Sequence, residues 1–458
     1  MVKQYKKYNE SGIEWIGEIP NKWNIVKLKF LADTKFSSVD RHELEEEIRV
    51  AICHYPQAYK NEKINTETAL STGTCNQNEL DNFSLKKGQV IITKDSETAD
   101  DIGIPTYVEE DIPNAVCGYH LAILQSTHKN FNTKFLFRYL QSNHVNYYFE
   151  NNSNGVTRFG LGKPTIENLA VPLPSIEEQS QIVFYLNDQT GIIDQIISKK
   201  QKLIELLKEK RQATISEAVT KGLNPNAKMK ESGVEWLGEI PVDWKLTPFR
   251  FIAVKIGSGV TPKGGAEVYK EEGVTFIRSQ NVHFDGLRLD DVAKIDLETH
   301  EKMSNSKVQF KDVLLNITGA SIGRCCVVNI DEEMNVNQHV CIIRPKSSKV
   351  VSEYLNLVLQ SDIGQTQVRM ELTGGNRDGL TFEALKAFVL PLPALKLQDE
   401  IVNQVSIQIN QLFELETKII SQIEKLKEFR QSIISEAVTG KIDVREWQPN
   451  TQNNLAYT

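Results

Sequence analysis

The chain contains itself twice. Residues 11–23 read SGIEWIGEIPNKW and residues 232–244 read SGVEWLGEIPVDW, an offset of 221. Residues 211–220 read RQATISEAVT and residues 430–439 read RQSIISEAVT, an offset of 219. Two such pairs, in one order and at nearly one offset, mark a tandem duplication of domain-sized halves. The period is far beyond the ~20–50 residues of a solenoid repeat. A chain built this way folds into two similar bodies and suits a ligand with two similar halves.

Length alone, 458 residues, would point to roughly three domains; the duplication revises that to two halves. No apolar run approaches the ~18 residues of a membrane span. The opening MVKQYKKYNESG has no apolar stretch after its lysines, so no secretory signal or membrane partner is expected, and the cytoplasm is the expected compartment. The six cysteines, Cys53, Cys75, Cys117, Cys325, Cys326 and Cys341, form no C-x-x-C pair, so no zinc or redox site is signalled. A net charge of −7 weighs against holding nucleic acid alone through bulk electrostatics, without excluding a local basic face.

Each half has the same three parts: the short signature, a mixed segment, and a long helix introduced by VPLP (171–174) or LPLP (390–393). In the second half apolar residues recur at four and three spacing through Ile401, Val405, Leu412, Leu415, Ile419, Leu426, Phe429 and Ile433. The first half repeats that register in Ile182, Leu186, Ile193, Ile196, Leu203 and Leu207, with Gln189 matching Gln408. Sustained heptad spacing predicts a coiled-coil seam. Each helix is expected to run about 44 residues, or ~65 Å. Ser175 and Glu178 fit a capping box; Ala394 and Leu397 stand in its place in the second copy. Each copy supplies the partner that the other's seam needs. Antiparallel pairing is the simplest closure, which would set the mixed segments at opposite ends of a rod.

The mixed segments alternate β-like runs with turns. VTFIRS (274–279), DVLLNIT (312–318), CCVVNI (325–330) and HVCIIRP (339–345) read as strands, as do QVIITK (89–94), PTYV (105–108) and YHLAIL (119–124) in the first half. FLFRYLQSN (135–143) and YLNLVLQSD (354–362) read as helices. Diverged middles between preserved ends fit one scaffold carrying two specificities. The expected fold is α+β: two similar mixed α/β domains separated by two long antiparallel coiled-coil helices, with a pseudo-two-fold internal repeat. The expected boundaries are 1–170 for the first domain and 171–223 for the first long helix. They continue with 224–389 for the second domain, 390–445 for the second long helix and 446–458 for a flexible tail.

These residues carry a family likeness. The chain resembles the specificity subunit of type I restriction-modification enzymes, the HsdS family, over nearly its whole length. SGIEWIGEIPNKW, the helix lead VPLPSIEEQSQI, and NITGASIGRCCVVN with NVNQHVCIIRP (316–345) all look like that family. ITKDSETADDIGIPTYV (92–108) looks like a known variety of its recognition domain. The resemblance implies a non-catalytic, DNA-reading subunit. Each mixed segment would be a target recognition domain for one short DNA word, and the helices would act as a ruler for the unread gap. Its partners would be double-stranded DNA, two methyltransferase subunits and, through the complex, the translocating restriction subunits. No cofactor is expected on this chain; S-adenosylmethionine, ATP and Mg would sit on the partners. The chain departs from the family pattern at LPLPALKLQDE, where Leu397 and Gln398 meet the family's glutamate–glutamine pair.

The residues agree with a non-enzyme. No [DN]-P-P-[FY] base clamp is present, the nearest string being NPNA (224–227). G-x-G-x-x-G, G-x-x-x-x-G-K-[ST] and H-E-x-x-H are also missing, and G-x-S-x-G occurs as GASIG (319–323), inside the stretch that resembles the family. His120 and His339, offset by 219, read as a shared structural hydrogen bond.

Base reading needs Arg or Lys for guanine and Asn or Gln for adenine, with phosphate contacts setting the register. The second segment offers Arg278, Gln280, Asn281, His283 and Arg288 in IRSQNVHFDGLR, Lys263 in TPKGG, Arg324, and Asn376 with Arg377 in GGNR. The first offers Tyr55, Tyr59 and Lys60 in HYPQAYKN, Lys94 in TKDSE, and Arg158 and Lys163 in TRFGLGK. Arg278 and Lys94 lead these candidates. Residues 24–170 hold 15 Lys and Arg against 19 Asp and Glu, and residues 245–389 hold 18 against 18. Neither segment is basic, so weak DNA binding by the chain alone is expected. Two other readings stand beside this one: a duplicated adaptor that joins two protein partners through its coiled coil, and a self-contained methylase or nuclease.

Overall fold

The computed structural model describes residues 3–262, 269–373 and 379–449. The chain divides into two units, one of residues 1–200 with 421–458 and one of residues 201–420.

In the first unit a five-stranded sheet runs in the order 32–36, 121–126, 90–93, 105–108 and 63–64. VIIT (90–93) is buried at every position, as a short apolar run must be when it has a neighbour on each edge. A three-stranded sheet places 48–53 between the parallel strand 115–117 and the antiparallel strand 71–75. The second unit repeats both sheets. Strand 340–345 lies between 253–258 and 313–316, and 313–316 pairs with 325–327. Strand 274–277 lies between the parallel strand 334–336 and the antiparallel strand 293–295. Within these two sheets only the parallel strand 63–64 has no counterpart among the described residues. The expected strands and helices all occur, shifted or trimmed by up to three residues at their ends.

The long helices span Ile176–Lys221 and Leu395–Val438. Within the first unit they run antiparallel: Lys200 Nζ donates to Gln422 Oε1 at 2.6 Å, and Arg430 Nε donates to Asp194 Oδ1 at 2.9 Å. In the second unit Ile215, Ala218 and Val219 share a core with Ile401 and Val405. The seam differs in part from the sequence expectation. Leu203, Leu415 and Phe429 are 42%, 44% and 54% exposed, while Thr190, Ile197 and Ile423 are buried. The four-three rhythm is right, but at these positions the buried stripe passes one residue or more to the side. Two apolar registers overlap in the sequence, and packing selects one of them.

The two repeated motifs clasp each mixed domain to a helix. Gln431 Nε2 donates to the carbonyl of Gln141, and Ser435 Oγ accepts from the Asn143 N–H at 3.0 Å. In the second unit Gln212 Nε2 donates to the carbonyl of Gln360 at 2.8 Å, and Ser216 Oγ accepts from the Asp362 N–H at 2.9 Å. These are the Gln and Ser of RQxxISEAVT. They satisfy backbone groups where one short helix ends and the next begins, groups that have no partner within a helix. The tryptophans that close the N-terminal signatures, Trp23 and Trp244, are buried. Each packs under a helix-ending glycine with positive φ, Gly440 (71°) and Gly222 (76°). A Cβ at either glycine would lie 3.1 Å from the indole, so glycine serves both as the left-handed cap and as the room for the ring.

The start of each long helix is fixed by a fully buried glutamine. Gln179 accepts from the Asn132 N–H at 2.8 Å and donates to the carbonyls of Asn130 and Pro174 at 3.1 and 3.0 Å. Gln398 accepts from the Val351 N–H at 2.9 Å and donates to Lys349 and Pro393 at 3.1 and 2.9 Å. The departure at Leu397 therefore leaves this clasp unchanged. Only half of the expected capping box forms: Ser175 Oγ accepts from the Glu178 N–H at 3.3 Å, while the Glu178 carboxylate accepts from the Tyr5 hydroxyl at 2.7 Å. The region expected as a flexible tail begins inside packed structure, with Trp447 edge-on to Phe184 and Tyr185; residues 450–458 lie outside the described residues.

Candidate nucleic-acid interface

Both units carry a loop cluster built on one hydrogen-bonded frame. In the first unit the Lys94 N–H donates to the His120 carbonyl at 3.0 Å, the Leu161 N–H to Lys94 at 2.8 Å, and the Gly118 N–H to Cys53 at 2.9 Å. In the second the Ile317 N–H donates to His339 at 3.0 Å, the Leu380 N–H to Ile317 at 2.8 Å, and the Asn337 N–H to Ile277 at 3.0 Å. The frame equates Asp95 with Thr318, His120 with His339, and His54 with Arg278. The two histidines do share a hydrogen bond: His120 Nδ1 lies 2.9 Å from Asp95 Oδ2, and His339 Nδ1 lies 2.5 Å from Thr318 Oγ1.

In the first unit these loops surround a cavity of about 780 Å³. Tyr55 and Tyr59, one turn apart on the helix Tyr55–Lys60, stack at 5.5 Å and 15° along its wall. Burial raises the pKa of the Tyr55 hydroxyl, and a hydrogen bond to Asp101 raises that of Tyr59. Burial, and then the nearby Arg41 charge, push His54 below the usual imidazole range. Arg158 Nη2 lies 3.3 Å from both ring nitrogens of His120. The lining holds four carboxylates, Asp40, Asp95, Glu97 and Asp101, against the two guanidiniums of Arg41 and Arg158. That balance repels phosphate and favours groups that donate hydrogen bonds.

The sequence candidates divide on this frame. Tyr55, Tyr59 and Arg158 come together around the cavity. Lys60 is exposed at the end of the same helix and does not line it. Lys94 turns inward: its side chain is 11% exposed, and its ammonium lies 3.1 Å from Asp95 and 4.6 Å from the Tyr119 ring centroid. Lys163 stands outside the cavity, 3.6 Å from Glu167. In the second unit Arg278 lies 5.3 Å from the Tyr269 ring centroid, and its Nε is buried without a hydrogen-bond partner among the described residues. Gln280 is exposed beside it, and its carbonyl accepts from His283 Nε2 at 2.9 Å. Asn281 is 3% exposed, with both ends of its amide engaged by the Arg278 N–H and the Arg288 carbonyl; it shapes the turn and has no free edge for a base. Arg288 is exposed, 3.4 Å from Asp285. Arg324 is half-buried in the loop after strand 313–316. Lys263, Asn376 and Arg377 lie outside the described residues. Sequence reasoning passed over Asp95, Tyr119 and His54. The signal for the site was the His120–His339 offset, which marks one of the positions where the frame is the same in both units.

Among the described residues no three His, Cys, Asp or Glu side chains gather as a metal site, and no helix is long and apolar enough to cross a membrane.

Comparison with known proteins places this geometry. The family model described as type I restriction modification DNA specificity domain matches residues 20–206 and again residues 252–425. The type I restriction enzyme EcoBI specificity subunit of Escherichia coli is 26% identical over 311 residues, 65% of this chain and 63% of that protein. The MjaVIII specificity subunit of Methanocaldococcus jannaschii is 28% identical over 289 residues, 62% of this chain and 65% of that protein. The match thus spans just under two thirds of these two relatives. The putative MjaX specificity subunit of the same organism is 24% identical over 97% of this chain and 99% of its own length. A solved chain from a study of complex assembly and conformational transition in the type I R-M system is 16% identical. It has a TM-score of 0.70 and covers 93% of this chain and 99% of its own length. At that identity the likeness concerns the fold.

Proposed function

The chain belongs to the type I restriction modification DNA specificity domain family, and from that premise we propose that it is the DNA-reading subunit of a type I restriction-modification complex. Each unit reads one word of a bipartite, asymmetric site. The helix pair sets the number of unread base pairs between the words. Two methyltransferase subunits dock on the repeated scaffold, and S-adenosylmethionine, ATP and Mg act on the partner subunits.

One observation carries this reading. The same backbone frame presents Asp95, His54 and paired tyrosines in one unit, and Thr318 and Arg278 in the other. Shared geometry with exchanged polar edges is what two readers of different words require, because base identity is read by donor and acceptor patterns. The acidic balance of the first site assigns phosphate contact largely to the partners, so DNA affinity rises sharply when methyltransferase subunits are added.

Methylation mapping of a genome expressing the chain with its partners tests the reading. Two short words at a fixed gap are expected. Methylation at a single continuous word, or methylation independent of this chain, would overturn it. Removing one heptad from both helices, ~10 Å of rise, is expected to shorten the gap by about three base pairs.

A further inference from the structure

Resting on that reading, we propose that the first unit recognises a C·G base pair in the major groove through Asp95 and Arg158, held side by side against His120. Three observations converge on this pair.

The first is the carboxylate. Asp95 Oδ2 is occupied by Lys94 Nζ at 3.1 Å and His120 Nδ1 at 2.9 Å. Oδ1 has no hydrogen-bond partner among the described residues, and the side chain is 23% exposed toward the cavity. An ionised carboxylate only accepts hydrogen bonds. In the major groove it meets the N4 amino group of cytosine.

The second is the guanidinium. Arg158 Nη2 is equidistant from the two imidazole nitrogens, so it rests against the ring rather than on one lone pair. The rest of its donor fork has no hydrogen-bond partner among the described residues, and the residue is exposed. Guanine offers O6 and N7 to such a fork, and the same base pair offers the cytosine amine beside them. An acceptor next to a donor fork therefore complements the donor-then-acceptors edge of one C·G pair. An A·T pair presents an amine and an N7 on adenine, and a methyl group and O4 on thymine, leaving the fork half unmatched.

The third is the contrast with the second unit. There the position of Asp95 is held by Thr318, whose hydroxyl is engaged with His339. A hydroxyl donates as well as accepts and does not single out an amine. The inference concerns the first word alone, with His120 as a positioning residue that aligns the two reading groups.

Mapping methylation in the intact complex with Asp95→Asn and, separately, Arg158→Ala tests it. Both variants are expected to copurify with the methyltransferase subunits. Arg158→Ala relaxes discrimination at one C·G pair of one word by about 5- to 150-fold, the range for a lost bidentate contact; Asp95→Asn relaxes the same pair by less, and both leave the other word unchanged. Retained specificity in both variants, or relaxation at an A·T pair, would overturn the proposal while leaving the bipartite reading intact. A wild-type complex that methylates no bipartite site would remove the reading and the proposal together.

Discussion

Both units hold the start of a long helix with a buried glutamine, but only the first adds a charged clamp beside it. Glu178 accepts from Tyr5, and Arg445 lies 3.9 Å from the same carboxylate and 4.8 Å from the Tyr5 ring centroid. Burial first, and then the Glu178 hydrogen bond, push the tyrosine far above the usual phenol range. In the second unit Leu397 stands at that place and packs on the apolar core. The difference follows from chain connectivity. In the second unit the helix end runs covalently through residues 222–231 into the signature hairpin. In the first, two segments far apart in sequence meet there through hydrogen bonds: the Asp443 N–H donates to the Lys3 carbonyl at 2.7 Å, and Lys3 Nζ lies 2.6 Å from Glu446. The glutamine is common to both copies; the glutamate serves only the first, where Tyr5 and Arg445 meet it.

Removing the shared element should affect both units equally and most severely. Gln179→Ala and Gln398→Ala each leave three backbone groups without this partner, one of them buried and two part-buried, for an expected loss of about 2–4 kcal/mol. Hydrogen exchange resolved by unit would show each loss in its own unit; a mild effect at one glutamine would break the equivalence. Glu178→Leu makes the first unit like the second and should cost it about 1.5–3 kcal/mol, the range for a hydrogen bond to a charged group. Exchange at residues 3–8 and 441–447 should accelerate while the second unit stays unchanged. Ser435→Ala and Ser216→Ala each free one N–H at a helix start, at about 1 kcal/mol, and matched denaturation midpoints for the two variants would sharpen the comparison.

The smallest contrast lies in the thiols, three to a unit and all buried. Burial pushes Cys53, Cys326 and Cys341 up to about 12 and raises the rest. The folded state therefore keeps thiols protonated where the unfolded chain ionises near 9. The unfolded state then binds fewer protons than the native one, so stability contributed by these groups is full below about pH 9 and declines as pH rises beyond it. Thiol titration at pH 8 should find none of the six reactive before unfolding. Early reaction confined to one unit would mark that unit as the looser.

Much of this was legible in the sequence because it repeats. The duplication, the two long helices and the likeness at 316–345 all rest on local pattern. The seam was half legible: Leu203, Leu415 and Phe429 fit a heptad as well as Ile197 and Ile423 do, and only packing separates them. The site was least legible, because its residues come from loops that the sheets bring together. Asn281 looked like an adenine reader and instead spends its amide on a turn, the usual competition of short polar side chains for nearby backbone. Lys94 looked like a leading DNA contact, and its ammonium is turned inward onto Asp95. Asp95 carried no basic signature and so stayed out of view.

The division of the chain at residues 200 and 420 has a consequence for synthesis. The second unit is one uninterrupted stretch, whereas the first needs residues from both sides of it. A ribosome moving at about 5–20 residues per second therefore delivers everything the second unit needs while the first still waits, roughly 10–40 seconds after its own loops have emerged. The half made first is the half finished last, and a transcript cut short after residue 420 would yield one complete unit and one that lacks its closing helix.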